Sequence, residues 1–173
     1  MHQSSLENME KAVRLLKMDS DNKINILDVG GRGLNSDRSY FSILSPYASE
    51  YHVADLIDGE NVTHVMTSDY VLPMEDQYYH LIVSGQTLEH VKNPFKLVKE
   101  MTRVLKDKCY MILIAPSTGP RHDSIDCWRF MDDSFKAIAE EVGLETIADW
   151  IDYESSDKKS IPWRDHIFIG KKL

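Results

Sequence analysis

The chain has 173 residues, 42% of them hydrophobic and 28% charged, with a formal net charge of −8 and a pI of about 5.3. That length and balance predict one soluble globular domain with a single sizeable core. Acidity without a basic block argues against nucleic acid as the main partner, and no apolar run approaches the roughly 18 residues that a spanning helix needs. The polar first residues lack an apolar h-region, so the expectation is a cytoplasmic protein with no signal peptide. Two cysteines, Cys109 and Cys127, form no Cys-x-x-Cys pair, which excludes a zinc ribbon or a redox dithiol. Cys109 sits in an apolar run and reads as a core thiol; Cys127 reads either as pocket wall or as plain packing.

Ser4 and Glu7 make a capping pattern, and Leu6, Met9, Val13 and Leu16 recur at helical spacing, predicting a helix over residues 5–18 within an N-terminal segment 1–22. Ile24–Val29 is a short apolar run and reads as a buried parallel strand. Asn35 or Ser36 can cap a helix through Leu44 that Pro46 helps to end. Tyr51–Ala54, closed by Asp55, and Val62–Met66 are the next strands. So few residues join them that the usual crossover helix must be missing or reduced to a turn. Tyr79–Ser84 is the fourth strand. Asn93-Pro94 starts a helix with a cap and a proline at its first position, burying Phe95, Leu97, Val98, Met101, Val104 and Leu105. Lys106-Asp107-Lys108 reads as a turn before the strand Cys109–Ala115.

Residues 116–131 carry little periodicity but many polar and aromatic side chains, and a long irregular stretch of this kind inside a domain is usually functional. Asp132 is the predicted cap of the next helix, which turns Phe135, Ile138, Ala139 and Val142 inward and stops at Gly143. Leu144–Tyr153 and Trp163–Lys171 form a final strand pair. Strands alternating with helices predict an α/β fold: a mostly parallel seven-stranded sheet with an antiparallel last strand and helices on both faces. Residues 1–173 form one domain in this reading.

The chain is organised around Ile24–Asn35, where a strand ends in Asp28 and a glycine cluster follows at once. Glycines there allow backbone to approach a ligand beyond the carboxyl ends of the strands. Two cofactors compete on these residues. Gly31-x-Gly33-x-x-Ser36, with Asp55 in the place of a ribose-binding acid, nearly matches the dinucleotide fingerprint of a nicotinamide enzyme.

The wider series points elsewhere. Leu27-Asp28-Val29-Gly30, Tyr51–Leu56, Ser68–Met74, Tyr79–Ser84, Leu88-Glu89-His90-Val91, Asn93-Pro94, Glu100–Leu105 and Ala115-Pro116 stand in the order and spacing of the class I S-adenosylmethionine-dependent methyltransferases. From about residue 24 onward the chain resembles that family, in its type 11-like branch. With the late Asp126-x-Trp128-Arg129-Phe130 element it resembles the small-molecule and sugar methyltransferases. The resemblance implies a Rossmann-like fold and S-adenosylmethionine as cofactor. It places Asp28 and Gly30, with Gly31 and Arg32 in the same loop, at the methionyl part. Asp55 and Leu56 fall at the ribose, Asp69 and Tyr70 at the adenine, and Gly85 and Gln86 at the methionyl end. The chain departs from the family pattern where Arg32 and Leu34 replace loop glycines; the Arg32 side chain either points to solvent or pairs with the cofactor carboxylate.

The implied chemistry is methyl transfer to a small-molecule acceptor, with O-methylation of a sugar or glycan precursor as the finer expectation. A hydroxyl acceptor must lose a proton, and histidine is suited to take it near neutral pH. His90 and His122 are the candidate bases, with Asp126 as the residue that orients one of them. Arg129 reads first as a structural lock. His122, Asp123 and Asp126 offer ligands for a divalent ion, but at no diagnostic spacing, so no metal is assigned. Trp128 suits a sugar pocket, whereas Trp150 and Trp163 read as core. A homodimer could complete the pocket. The alternative from another class is a catalytically silent methyltransferase-like scaffold, favoured by Arg32 and by the short connection before the third strand.

Overall fold

The computed structural model describes residues 3–33, 39–155, 158 and 160–173. In chain order these form α1 (Gln3–Leu15), β1 (Ile24–Val29), α2 (Phe41–Leu44), β2 (Ala48–Asp55), β3 (His64–Val65), β4 (Tyr79–Gly85), α3 (Pro94–Val104), β5 (Leu105–Pro116), α4 (Ser134–Val142), β6 (Leu144–Ile151) and β7 (Asp165–Lys172). The seven strands make one sheet in the order β3-β2-β1-β4-β5-β7-β6. β1 runs parallel to both β2 and β4, β4 to β5 and β2 to β3, while β7 is antiparallel to its neighbours β5 and β6. This is the predicted α/β sheet. Its order reverses between β1 and β4, which opens a crevice at their carboxyl ends.

Strand alternation divides the core between the two faces. Leu27 and Val29 turn toward α3 and α4, where they join Leu97, Val98, Met101, Phe135 and Ile138. Ile26 turns the other way, toward Met9, Ala12 and Val13 of α1 and Leu44 of α2. Burying apolar surface on both sides explains why β4, β5 and β7 are near-continuous apolar runs.

Several local expectations change. α1 begins early enough that Ser4 and Ser5 lie inside it and are buried, and it ends at Leu15, where Lys17 takes a left-handed φ of 51°. Ser4 therefore does not cap the helix, and Ser5 shares a 2.7 Å hydrogen bond with the Tyr40 hydroxyl. The predicted caps Asn35 and Ser36 lie outside the described residues, and Pro46 sits within a 3₁₀ turn, Ser45–Tyr47, that continues α2. Lys106-Asp107-Lys108 belongs to β5 as an irregularity in its register, with Lys108 at φ 61°. Asn93 does cap α3, accepting from the Lys96 N–H at 3.1 Å, but Phe95 faces outward. α4 is preceded by Asp133, whose side chain makes no capping bond, and is closed by Gly143 at φ 78°. Cys109 is half-buried and Cys127 exposed, and Trp150 and Trp163 are half-buried rather than enclosed. Residues 56–63 hold no helix, as the short connection requires.

The tightest packing beneath the site is aromatic. Phe135 is fully buried; its ring stacks on Phe130 at 4.8 Å and tilts against Phe168 at 5.8 Å and His166 at 4.7 Å. Phe135 therefore ties the irregular segment to the sheet. Phe135→Ala is expected to lower unfolding free energy by about 3–5 kcal/mol in urea titrations; a loss under 1 kcal/mol would show that the cluster carries little of the fold.

Candidate active site

A cavity of ≈ 430 Å³ opens at the carboxyl ends of β1, β2 and β4. Gly30 and Arg32 enter it from the loop after β1, Asp55 and Leu56 from the end of β2, and Asp69 from the segment after β3. Gln86, Thr87, His90, Val91 and Lys92 supply the wall after β4, and Met66, Leu97 and Ile125 add apolar surface.

The loop after β1 is shaped by two constraints. Gly30 has φ +84°, and a Cβ there would fall 2.1 Å from the Thr87 hydroxyl oxygen, so only glycine fits. Asn61 then ties the loop to the β2–β3 connection: its amide donates to the Gly31 carbonyl at 2.7 Å, and its Oδ1 accepts from the Gly33 N–H at 3.0 Å. The residues that replace the missing crossover helix thus brace the glycine loop. Arg32 lays its stem over Gly59 and its Nε 3.5 Å from Asp55 Oδ1. The same Oδ1 accepts from the Ile57 N–H at 3.0 Å, and the carboxylate keeps acceptor capacity for ligand hydroxyls.

Six of the candidate cofactor residues, Gly30, Arg32, Asp55, Leu56, Asp69 and Gln86, line the cavity, as does His90. The others stand apart. Asp28 lies beneath the loop, 2% exposed, accepting from the Tyr51 hydroxyl at 2.9 Å. Gly31 packs on the Asp28 carboxylate and Gly85 on the Tyr40 ring. Tyr70 lines a neighbouring cleft with Lys96 and Glu100. Asn61, Thr87, Lys92 and Met66 carried no signal in the sequence, since their roles depend on which strand ends are adjacent.

His122 stands beside His90, with ring centroids 4.9 Å apart, and its other side meets Trp163 at 4.7 Å. Asp126 accepts from His122 twice, from the backbone N–H and from Nδ1, both at 2.9 Å. Arg129 holds the same carboxylate through both of its terminal nitrogens and also donates to the carbonyls of Gly119, Pro120 and Trp128. Arg129 and burial-satisfying bonds of this kind hold the Asp126 carboxyl well below the usual carboxylate range. The lock expected for Arg129 is the arrangement seen. The segment is pinned across the cavity mouth by the Cys127 N–H donating to the Glu89 carbonyl at 2.7 Å and the Trp128 indole donating to the Val91 carbonyl at 2.9 Å.

The site fits a nucleoside-sized cofactor. Its volume lies within the roughly 300–1,000 Å³ range of ligand pockets; Gly30 lets backbone approach closely, Asp55 offers acceptors for hydroxyls, and Leu56, Met66 and Leu97 offer apolar surface.

Beneath the loop, burial pushes the Asp28 carboxyl up to about 7, against the lowering effect of the Tyr51 hydrogen bond and with a further rise from Asp55. An acid whose folded pKa is raised loses stability as pH rises from its unfolded value, near 3.9, to its folded one, because the unfolded chain ionises first. Asp28→Asn keeps an acceptor for Tyr51 and removes that loss. The variant is expected to gain stability over the parent progressively from about pH 4 to about pH 7 and to level off above that, in denaturant titrations. A parallel pair of pH profiles would contradict this placement of Asp28.

Residues 44–113 match the family model described as a methyltransferase domain. No curated protein matches the chain by sequence. Among solved structures, the YcgJ protein of Bacillus subtilis superposes with a TM-score of 0.69 at 18% identity, covering 99% of each chain. A SAM dependent methyltransferase from Aquifex aeolicus gives 0.63 at 16% identity over 100% of both chains. The Burkholderia thailandensis 1,6-didemethyltoxoflavin-N1-methyltransferase, solved with 1,6-didemethyltoxoflavin and S-adenosylhomocysteine, gives 0.73 at 10% identity, covering 99% of this chain and 79% of that one. Residues 44–113 are thus similar to a methyltransferase domain, and the chain shares the fold of these solved structures, among them methyltransferases.

Proposed function

We propose that the protein methylates a hydroxyl of a small molecule, using S-adenosylmethionine held in the cavity at the β1, β2 and β4 edge. The observation that carries this reading is the division of that cavity. Asp55 enters it from the end of β2 and His90 from the wall after β4, strands that flank β1 and its glycine loop on opposite sides, and His122 stands beside His90. The Burkholderia enzyme was solved with 1,6-didemethyltoxoflavin and S-adenosylhomocysteine bound, which supports a small-molecule acceptor here. In the finer reading the acceptor is a sugar or glycan precursor. The 42%-exposed Trp128 ring and the carboxylate of Asp123 suit the apolar faces and hydroxyls of a polyol.

Bound there, S-adenosylmethionine supplies a methyl group on a sulfonium, which is already electrophilic. Asp55 accepts from the ribose hydroxyls and fixes the nucleoside. The Gly30 backbone allows the methionyl chain to approach β1. Asp69 reaches the adenine edge, while Leu56, Met66 and Leu97 exclude water around the ring. The acceptor oxygen would take that methyl as the S–C bond breaks, leaving its electron pair on sulfur. The hydroxyl proton leaves on the His90 and His122 side. Holding donor and acceptor in line supplies much of the rate.

Two measurements test the assignment. Calorimetric titration with S-adenosylhomocysteine should show binding that Asp55→Ala weakens about tenfold or more, since each charged hydrogen bond is worth about 1.5–3 kcal/mol; equal affinity in that variant would remove the ribose role. His90→Ala should lower kcat by about 10²–10⁴ on a methylated sugar or polyol from an acceptor panel, the usual worth of a positioned proton-transfer group. Cofactor affinity should change far less. A loss confined to cofactor binding would place His90 on the wrong side of the cavity.

A further inference from the structure

One group at the cavity wall is unused by the reading above. Glu89 is 0% exposed, and among the described residues neither of its carboxylate oxygens has a hydrogen-bond partner. Burying a carboxylate with nothing to compensate it is costly. It persists where a cation or an unseen donor completes the site. His90 Nε2 lies 3.7 Å from Glu89 Oε1, and the His122 ring stands 4.9 Å from the His90 ring, centroid to centroid.

The two imidazoles are prepared in the same way. His90 Nδ1 meets the Ile125 carbonyl, and His122 Nδ1 meets the Asp126 carboxylate. Both partners only accept, so each Nδ1 carries a proton, and in the neutral ring each Nε2 is the nitrogen with the lone pair. Metal-ligating histidines are oriented in this manner, with the second nitrogen bonded to a carbonyl or carboxylate. The Asp126 carboxylate is itself fixed by Arg129, so the orienting group is held as well.

We propose that Glu89, His90 and His122 form a binding site for a divalent transition ion, with zinc as the favoured occupant. One ligand atom from each of the three lies within 4.8 Å of the other two. A tetrahedral ion with ligands at about 2.1 Å would draw them to about 3.4 Å apart, a rotamer-scale adjustment. Two imidazole nitrogens and one carboxylate are the ligand set of a zinc site that keeps an open position. His90 lines the cavity, so the open position faces the acceptor side. With the ion bound, both imidazoles serve as ligands. A hydroxyl at the open position would then be oriented and made more acidic by the ion and lose its proton to water, with His90 acting through the ion and not as the direct proton acceptor. This catalytic use rests on the methyl-transfer reading; the ion site does not.

The test uses tag-free, chelator-treated protein titrated with zinc chloride by calorimetry and with cobalt chloride by visible absorption. The expected result is one ion per chain. Cobalt should give d–d bands strong enough for four- or five-coordination. His122→Asn changes an exposed side chain and so should spare the fold; it is expected to weaken zinc binding at least tenfold. Glu89→Gln, checked for folding by near-UV circular dichroism, should do the same. Absence of stoichiometric binding, or equal affinity in the folded variants, overturns the site. A parallel titration with S-adenosylhomocysteine separates the two readings. Cofactor binding without zinc binding overturns the ion site alone, and zinc binding without cofactor binding sustains it while removing the methyl-transfer reading.

Discussion

Thr87 fills the space where a side chain on residue 30 would stand, and much of the active edge depends on that contact. It joins the ends of β1 and β4, the two strands between which the sheet reverses its order. With Gly30 held at positive φ, the loop leaves β1 at an angle that opens the cavity instead of crossing it. Gln86 accepts its own left-handed φ of 57° to deliver Thr87 to that place, steadied by its N–H donating to the Ile114 carbonyl at 2.9 Å and its amide donating to Asp165 at 2.9 Å. Strain in a non-glycine residue persists only where its surroundings over-determine it, and here β5 and β7 both contribute.

Three carboxyl groups are buried around the same edge: Asp28 beneath the loop, Glu89 behind the wall and Asp165 at the start of β7. Burial pushes them up to about 7, about 8 and about 6 respectively. Their partners differ in kind. Asp28 has the Tyr51 hydroxyl and Asp165 the Gln86 amide, each a neutral donor, although among the described residues Asp165 Oδ2 has no hydrogen-bond partner. Glu89 stands beside two imidazoles instead. A structural role accounts for the first two carboxyls, and the proposed ion accounts for the third.

The irregular segment between β5 and α4 shows how a chain without repeating structure is held. Its anchors are single hydrogen bonds to backbone at Glu89, Val91 and Pro116, an arginine that ties Asp126 to three carbonyls, and the Phe130 ring stacked on Phe135. Each anchor satisfies a polar group or buries a ring, so the segment is ordered without a ladder of its own. By covering the wall after β4 it brings His122 beside His90, although 32 positions separate them in the chain.

The fold was legible in the sequence wherever a local pattern decided it. The apolar run Ile24–Val29, the Asn93-Pro94 start, the Gly143 stop and the short link before β3 all appear as read, because periodicity, capping and chain length act over a few residues. The six cofactor candidates that line the cavity were legible because strand ends and glycine turns are local signals too. What tertiary structure decided lies between distant segments. Ser4 does not cap α1 because that helix already includes it, with the adjacent Ser5 bonded to Tyr40. Asp28 turns inward because Tyr51, on the next strand, offers it a hydroxyl. Tyr70 faces the neighbouring cleft, and Asn61 clamps a loop 28–30 positions away. The sequence by itself determined the α/β order and where a ligand can enter. Only the packed sheet decided which acids are buried and which imidazoles meet, because those outcomes depend on which strand ends become neighbours.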